Sequence, residues 1–238
     1  MEIRKKLVDP SKYGTKCPYT MNPEFITVHN TYNDATAENE VSYMIRNDNQ
    51  VSFHIAVDDK EAVQGIPLER NAWHAGDGNG NGNRKSIGVE ICYSLSGGDR
   101  YYKAEDNAAI VVAQLMKQYN IPISKVRTHQ SWSGKYCPHR MLAEGRWNSF
   151  IERVQNAYNG GGNNMKWTMK SGGLGVSLAQ EIMDKLAEFK VKGNLVYEAD
   201  GIFYLQCEPV DDRNKLGAIT WYFKDYKGWY CDVYQVQA

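Results

Sequence analysis

Two of the five histidines in this 238-residue sequence stand directly after short strand-like runs, and a cysteine follows one of them at close range. His29 ends the apolar run 25–28, so its side chain can project from the edge of a sheet. His129 opens a segment with glycine and serine that ends at Cys137, and such a loop can bring imidazole and thiolate together. Two imidazoles and one thiolate fill three of the four positions around zinc, and an open fourth position is typical of a catalytic site. We therefore predict zinc as the cofactor, with His29, His129 and Cys137 as its ligands.

Two charged residues are candidates for the chemistry at such a zinc ion. Glu90 lies inside the apolar run 87–91, and the alternation of side chains along a strand places it on the face opposite its apolar neighbours. A carboxylate in such a strand requires a charge or hydrogen-bond partner, or a catalytic function. Lys135 lies two residues before Cys137, so its ammonium can reach a substrate oxygen at the metal. Amide hydrolysis needs a base that moves the proton of water and a cation beside the developing oxyanion. We predict Glu90 for the first task and Lys135 for the second.

Other polar residues of this region are assigned to structure or to substrate binding. His54 lies in the middle of an apolar run, so we interpret it as a hydrogen-bonded structural residue. His74 precedes the glycine- and asparagine-rich loop 77–84, which we interpret as a mobile rim, and loops on a rigid scaffold often carry binding groups. We therefore predict His74, with Trp73 and Asn30, among the substrate contacts.

The elements that must position these residues follow from apolar periodicity. Runs rich in β-branched and aromatic residues predict buried strands over 25–29, 51–57 and 87–91. Apolar residues at three-and-four spacing predict helices over 104–119 and about 141–158, and a further helix is predicted over 37–46. Strands that alternate with helices predict a layered α/β domain.

A glycine- and asparagine-rich stretch over 159–164 predicts a linker between a domain at 1–158 and a smaller one at 165–238. In the smaller domain, apolar patterns predict the order strand, helix, strand, strand, helix, strand, with a tight turn at Asp200–Gly201. That order is the split-βαβ arrangement of a small α+β domain. We expect most of seven aromatic residues in its core, and roughly two or three of them exposed: Tyr197, Tyr204, Trp221, Tyr222, Trp229, Tyr230 and Tyr234.

Composition excludes several classes of function. Basic and acidic residues are equal at 28 each, so the chain lacks the basic excess that nucleic-acid binding requires. No run approaches the roughly 20 apolar residues of a membrane span, and the charged start of the sequence does not resemble a signal peptide. We expect synthesis in the cytoplasm, no disulfide framework among the five cysteines, no membrane partner and a monomeric chain.

The strand that ends in His29, the Trp73–Gly76 segment, the strand around Glu90 and the His129–Cys137 loop together resemble the type 2 N-acetylmuramoyl-L-alanine amidases. The likeness covers residues 1 to 158 and is greatest to the PlyL-like endolysins of Bacillus phages and prophages. It implies the fold of this family and of the peptidoglycan recognition proteins, a mixed central sheet flanked by helices, and the same five site residues.

The resemblance also implies a function for each domain. The first would hydrolyse the amide bond between N-acetylmuramic acid and L-alanine in bacterial peptidoglycan. The second, whose likeness is less specific, would bind a wall polymer. The whole chain would be an endolysin that is made in the host cytoplasm and reaches the cell wall once the membrane is breached.

One departure from the family concerns Phe53, where many relatives carry a tyrosine. Phenylalanine cannot donate a hydrogen bond, so any task of that tyrosine would pass to Lys135, to Glu90 or to a water molecule.

Three other interpretations of the zinc-ligand residues stay open on the sequence. A closed structural zinc site would need a fourth ligand, for which His139 is an awkward candidate. A non-catalytic peptidoglycan recognition module would have the ligand cysteine replaced, whereas Cys137 is present. A cysteine peptidase of the wall would use Cys137 as a nucleophile paired with His129 and would need no zinc.

Overall fold

The computed structural model describes residues 1–160, 165–198 and 201–237. The chain divides into two compact units, Met1–Asn163 and Asn164–Ala238. Residues 161–164 of the predicted linker and Asp200 of the predicted turn lie outside the described residues. No helix in the described part of the chain is both long and apolar enough to cross a lipid bilayer.

The first unit is built on one sheet. Its described strands are β1 (Ile3–Lys5), β2 (Phe25–Asn30), β3 (Ile55–Val57), β4 (Ala62–Gln64), β5 (Ser86–Ile91) and β6 (Val126–Thr128). Their order across the sheet is β1-β4-β3-β5-β2-β6. Strands β3, β5, β2 and β6 run parallel to one another, whereas β4 is antiparallel to β3. The predicted mixed sheet is therefore confirmed.

Helices flank this sheet. They are α1 (Tyr13–Lys16), α2 (Ala37–Arg46), α3 (Asn81–Lys85), α4 (Gly98–Tyr119), α5 (Gln130–Ser133), α6 (His139–Ala143) and α7 (Trp147–Tyr158), with short 3-10 turns at Pro10–Lys12 and Ile123–Lys125. Helix α2 spans the predicted range and begins where the hydroxyl of Thr36 accepts the amide of Asn39 at 3.2 Å. Helix α4 begins six residues earlier than predicted and ends at Tyr119, because the next residue, Asn120, has a left-handed φ of 52°.

The predicted strand over 51–57 forms only at β3. The backbone amide of Ser52 donates to the carbonyl of Trp73, and that of His54 donates to the carbonyl of Gly88. The first half of the run therefore changes partners within two residues and cannot continue a regular ladder.

The long helix predicted at the end of the first domain is interrupted at Gly145, whose φ of 64° lies in the left-handed region. Its second part, α7, packs on α4 through a buried ionic contact. The guanidinium of Arg153 donates to the carboxylates of Glu105 and Asp106, and Arg146 donates to Glu105 at 2.7 Å. These contacts hold the two helices together behind the sheet.

The second unit contains helices α8 (Ala179–Glu188) and α9 (Gly217–Trp221), 3-10 turns at Val176–Leu178 and Arg213–Leu216, and a π-helical turn at Tyr222–Tyr226. Its described strands are β7 (Met165–Ser171), β8 (Leu174–Gly175), β9 (Gly193–Tyr197), β10 (Ile202–Cys207) and β11 (Cys231–Gln237). The main strands are ordered β11-β7-β10-β9 with antiparallel neighbours, and the short β8 also pairs with β10. Strand β10 thus lies between β7 and β9, which is the split-βαβ order that the sequence predicts.

Aromatic residues of the second unit divide between core and surface. Phe203 and Phe223 are fully buried among aliphatic side chains. Three of the seven aromatic residues considered in the sequence are exposed, as expected: Tyr197 at 61%, Trp221 at 53% and Tyr230 at 73%. Tyr226, outside that set, is 65% exposed. Tyr222 is also buried, at 4% exposure, and the partly buried Trp229 packs against this core, so aromatic rings make up part of so small a core.

Candidate metal centre and active site

Three neighbouring parallel strands carry the candidate residues at their carboxyl ends. His29 on β2 pairs in register with Glu90 on β5, and paired residues of parallel strands point to the same face of the sheet. Strand β6 pairs with β2 as far as Thr128 opposite Val28, so His129 follows at the same edge. The sheet therefore brings together residues that are up to 100 positions apart in the sequence.

Cys137 reaches this edge because the chain turns back after β6. Helix α5 ends at Gly134, whose φ of 78° is left-handed and whose amide donates to the carbonyl of Gln130 at 3.0 Å. The amide of Gln130 in turn donates to the carbonyl of Cys137, also at 3.0 Å. The loop is thus closed on itself and returns the thiol to the histidine that starts it.

His29, His129 and Cys137 form one buried cluster. The Nδ1 atoms of the two histidines are 3.1 Å apart, and Sγ of Cys137 is 3.8 Å from Nδ1 of His29. The candidate ligand atoms of all three residues lie within 4.8 Å of one another. Across residues 1–160, 165–198 and 201–237, no fourth histidine, cysteine or acidic residue joins this cluster.

The chemistry of this donor set fits zinc. Burial lowers the pKa of His29 well below its usual value, so the imidazole is neutral and keeps a lone pair. Burial raises the pKa of the Cys137 thiol to about 12, and a cation beside the sulfur would favour the thiolate that binds metals. Two nitrogen lone pairs 3.1 Å apart repel each other unless a proton or a cation lies between them. Two imidazoles and one thiolate match a tetrahedral zinc site with one open position.

Behind this cluster lie two further histidines. Nδ1 of His74 is 2.9 Å from Nε2 of His29, and its own Nε2 faces the carbonyl of Ser86 at 3.2 Å. His54 accepts the amide of Gly88 at Nδ1 and lies 2.9 Å from the carbonyl of Arg70 at Nε2, so it is the hydrogen-bonded structural residue that the sequence predicts. His74 is 7% exposed and adjoins a candidate metal ligand, while a direct substrate contact for it stays a prediction.

Glu90 has the electrostatic setting of a proton-transfer group. Its Oε2 atom is buried, and within the described residues it has no hydrogen-bond partner. The pKa of Glu90 is raised to about 8, mainly by burial and also by the carboxylate of Glu40, while the charge of Lys135 opposes the rise. Glu40 was not anticipated as a neighbour of the site; it lies on α2, where burial also raises its pKa.

Lys135 is an exposed residue of the loop that closes on Cys137. Its positive charge lowers the pKa of Glu90, of both clustered histidines and of the Cys137 thiol. A positive charge that acts on all of these side chains lies near the cluster, and the oxyanion role of Lys135 stays a prediction.

The other two predicted substrate residues have mainly structural neighbours. The Oδ1 atom of Asn30 accepts the amide of Arg140 at 3.2 Å, and its Nδ2 lies 3.3 Å from the hydroxyl of Tyr101, so the side chain joins β2 to α6. The ring of Trp73 packs edge-on against Tyr19, with centroids 6.2 Å apart. Substrate contacts for Asn30 and Trp73 therefore stay predictions. Phe53, at the position of the family tyrosine, is 7% exposed and belongs to the core.

The loop expected as a mobile rim is held by its own side chains. The carboxylate of Asp77 accepts the amides of Gly82 and Asn83 at 2.7 and 3.0 Å. The Oδ1 atom of Asn83 accepts the amides of His74 and Ala75, both at 2.8 Å. The loop thus fixes the backbone on which His74 is mounted.

Comparison with known proteins extends this description. A family model described as N-acetylmuramoyl-L-alanine amidase matches residues 19–140. XlyB, an N-acetylmuramoyl-L-alanine amidase of Bacillus subtilis, is 59% identical over 160 residues, which cover 67% of this chain and 50% of XlyB. The chain therefore spans half the length of this curated relative.

Two solved structures share the fold of the first unit. The structure of PlyL is 80% identical in sequence with a TM-score of 0.64, and the match covers 65% of this chain and 97% of PlyL. The solution structure of the PlyG catalytic domain is 81% identical with a TM-score of 0.65, covering 66% of this chain and 96% of that domain. The family match over residues 19–140 takes in just over half of the chain and includes the strand of His29, Glu90 and the loop to Cys137. This chain belongs to the N-acetylmuramoyl-L-alanine amidase family.

Proposed function

We propose that the first unit hydrolyses the amide bond between N-acetylmuramic acid and L-alanine in bacterial peptidoglycan, with zinc held by His29, His129 and Cys137. The observation that carries this proposal is the convergence of three buried ligand atoms within 4.8 Å at the edge where adjacent parallel strands end. Membership of the amidase family supports the choice of bond.

The residues around the cluster have tasks that match this reaction. When bound, zinc supplies Lewis acidity, which makes water nucleophilic at neutral pH and polarises a carbonyl. Glu90, whose Oε2 is buried without a hydrogen-bond partner among the described residues, takes the proton of the attacking water and passes it to the leaving nitrogen. Lys135 stabilises the negative charge that develops on the carbonyl oxygen.

The surroundings of Cys137 favour zinc over a cysteine nucleophile. A nucleophilic thiol needs an exposed, electropositive setting that yields thiolate, whereas Cys137 is 6% exposed and its thiol lies against a second imidazole. A non-catalytic recognition module has no use for Glu90 beside the ligands.

Zinc content and wall hydrolysis test this proposal together. Elemental analysis of the full-length protein should give about one zinc per chain, and Cys137→Ser should lose zinc and lytic activity in parallel. The product of the wild type should be new amino termini of L-alanine in purified walls. A metal-free protein that still lyses walls would establish the cysteine mechanism instead, and a zinc-loaded protein that releases no L-alanine termini would establish a recognition module.

We further propose that the second unit binds a saccharide of the cell wall. A cavity of about 210 Å³ is lined by polar and aromatic side chains that include Asn214, Thr220, Trp221 and Asp225. The half-exposed ring of Trp221 lies beside Tyr226, with centroids 5.8 Å apart. Flat aromatic faces next to amide, hydroxyl and carboxylate groups suit the apolar and hydroxyl faces of sugars.

Sedimentation with purified Bacillus walls tests this binding. In the full-length Cys137→Ser protein, which cannot digest the walls, Trp221→Ala should lower the bound fraction severalfold, because the stacking surface is lost. Tyr197→Ala is the matched control, since Tyr197 is 61% exposed but does not line the cavity. Equal binding by both variants would overturn the assignment.

Together the two activities describe an endolysin, as the resemblance to phage lytic enzymes implies. We propose that the protein is a monomer made in the host cytoplasm that acts on the wall after the membrane is breached. Lysis of intact Bacillus cells should then require a membrane-permeabilising treatment when the protein is expressed inside them.

A further inference from the structure

We infer that His74 is a positioning residue, which selects the tautomer of His29 and fixes the direction of its metal-binding nitrogen. This inference rests on the proposed zinc site and adds to it a residue that acts through the ligand His29. It follows from which atom donates and which accepts in the two consecutive hydrogen bonds that join the carbonyl of Ser86, the ring of His74 and the ring of His29.

The row begins at a backbone carbonyl. The carbonyl oxygen of Ser86 can only accept, and it lies 3.2 Å from Nε2 of His74, so that nitrogen carries the proton. A neutral imidazole carries only one proton, so Nδ1 of His74 has a free lone pair. That lone pair faces Nε2 of His29 at 2.9 Å, which must therefore be the protonated nitrogen of His29.

The last step leaves Nδ1 of His29 without a proton. This atom is the one that faces the other two candidate ligands, at 3.1 Å from Nδ1 of His129 and 3.8 Å from Sγ of Cys137. The carbonyl of Ser86, two hydrogen bonds away, thus determines that His29 has the tautomer that metal binding at Nδ1 requires. Metal-binding histidines commonly donate their second nitrogen to a carboxylate or carbonyl, and here an imidazole takes that place.

His74 is held in position from several sides. Its backbone amide donates to Oδ1 of Asn83 at 2.8 Å. Its ring lies on the backbone of Gly88, where a Cβ atom would come within 2.9 Å of its Cγ. The ring also packs edge-on against His54, with centroids 5.8 Å apart. His74 therefore has little freedom to turn its lone pair away from His29.

Two substitutions of His74 distinguish the effect of its hydrogen bond to His29 from the effect of its side-chain volume. In His74→Asn, the side-chain oxygen occupies the place of Nδ1 and can still accept from His29. In His74→Phe, the ring volume remains but the acceptor is gone, so His29 can adopt the other tautomer, whose Nδ1 has no lone pair for a metal. Loss of such a partner weakens metal binding by about 10- to 100-fold.

The zinc dissociation constants of full-length wild type and both variants, measured by competition with a chromophoric chelator, test the inference. We expect His74→Phe to bind zinc about 10- to 100-fold more weakly and His74→Asn to stay within about threefold of the wild type. Thermal unfolding of the metal-free proteins establishes that they are folded. A folded His74→Phe protein with wild-type affinity would overturn the inference, as would a His74→Asn protein as weak as the phenylalanine variant.

The wild type provides a second test that does not depend on the folding of a variant. Long-range nitrogen–proton correlation spectra of the metal-free protein should show both His29 and His74 protonated at Nε2. Protonation of His74 at Nδ1 would overturn the inference. A wild type that binds no zinc would overturn the metal site itself, and these two failures are therefore distinguishable.

Discussion

Replacement of Arg153 by methionine would test the buried ionic contact that joins α4 and α7. The side chain of Arg153 is 1% exposed and that of Glu105 is fully buried. Methionine retains most of the apolar volume, but it leaves Asp106 without its buried guanidinium partner and Glu105 with Arg146 alone, at 2.7 Å.

Removal of one partner of a buried ion pair costs about 3–5 kcal/mol. Because Arg146 still neutralises Glu105, we expect the lower end, about 3 kcal/mol, which lowers the ratio of folded to unfolded protein roughly 100-fold. For a unit of this size, that loss lowers the unfolding midpoint by about 6–12 °C.

The loss of stability should depend on pH. Burial raises the pKa of Asp106 above its usual value, and Arg153 opposes this rise, so the variant has a still higher pKa. A carboxyl with a raised pKa binds protons more readily in the folded state, and its contribution to stability falls as pH rises from the unfolded pKa through the folded one. The difference between variant and wild type is therefore largest at neutral pH and narrows as acid protonates the carboxyl.

Thermal and urea unfolding, followed by circular dichroism at neutral and mildly acidic pH, would measure both effects at equal zinc loading. Arg100→Met is the matched control, since Arg100 is 59% exposed and its ion pair with Asp59 at 3.9 Å and its stacking on the ring of Tyr93 each contribute only about 0–1 kcal/mol. An Arg153→Met protein whose midpoint lies within about 2 °C of the wild type would refute the reasoning, because its buried carboxylates would then need no cation.

Further predictions concern the site and its loop. Glu90→Ala should retain zinc but lose lytic activity by about 100-fold or more, measured by the loss of turbidity of wall suspensions, whereas His29→Ala should lose zinc as well. Normal lysis and equal zinc in both variants would contradict the assignment. Chelation should abolish lysis and added zinc should restore it; full activity in excess chelator would exclude the proposed mechanism. Gly82→Ala should destabilise the first unit by about 1–3 kcal/mol in urea unfolding, because its Cβ would lie 2.5 Å from Cβ of Ala75 and 2.9 Å from the ring of Trp132; an unchanged midpoint would show that the loop yields freely.

The candidate ligand set could be predicted because each residue is marked by its local sequence. His29 ends a strand-like run, and the glycine that turns the chain back stands between His129 and Cys137. The strand order that makes them neighbours is a property of the whole sheet, and the family resemblance supplied it. Similarly, the split-βαβ order of the second unit followed from the succession of elements, since few topologies fit that succession.

What the sequence did not reveal depends on contacts between distant segments. Glu40 stands in a helix whose acidic pattern is typical of a solvated face, and its neighbour Glu38 does form surface pairs with Arg4 and Lys6. Only the packing of α2 brings Glu40 near Glu90. The short strands β1 and β4 have too few residues to show a periodic pattern. The helix break at Gly145 was marked by the glycine itself, but the prediction followed the apolar spacing across it.

The register of β2 against β5 has a consequence for how this protein folds. Because side chains alternate along a strand, a slip of one residue between these strands would turn His29 and Glu90 to opposite faces. The candidate ligands also come from segments about a hundred residues apart, so the candidate zinc site cannot form from any local fragment. Zinc uptake during refolding should therefore require the native pairing of these strands and can serve as a reporter of it.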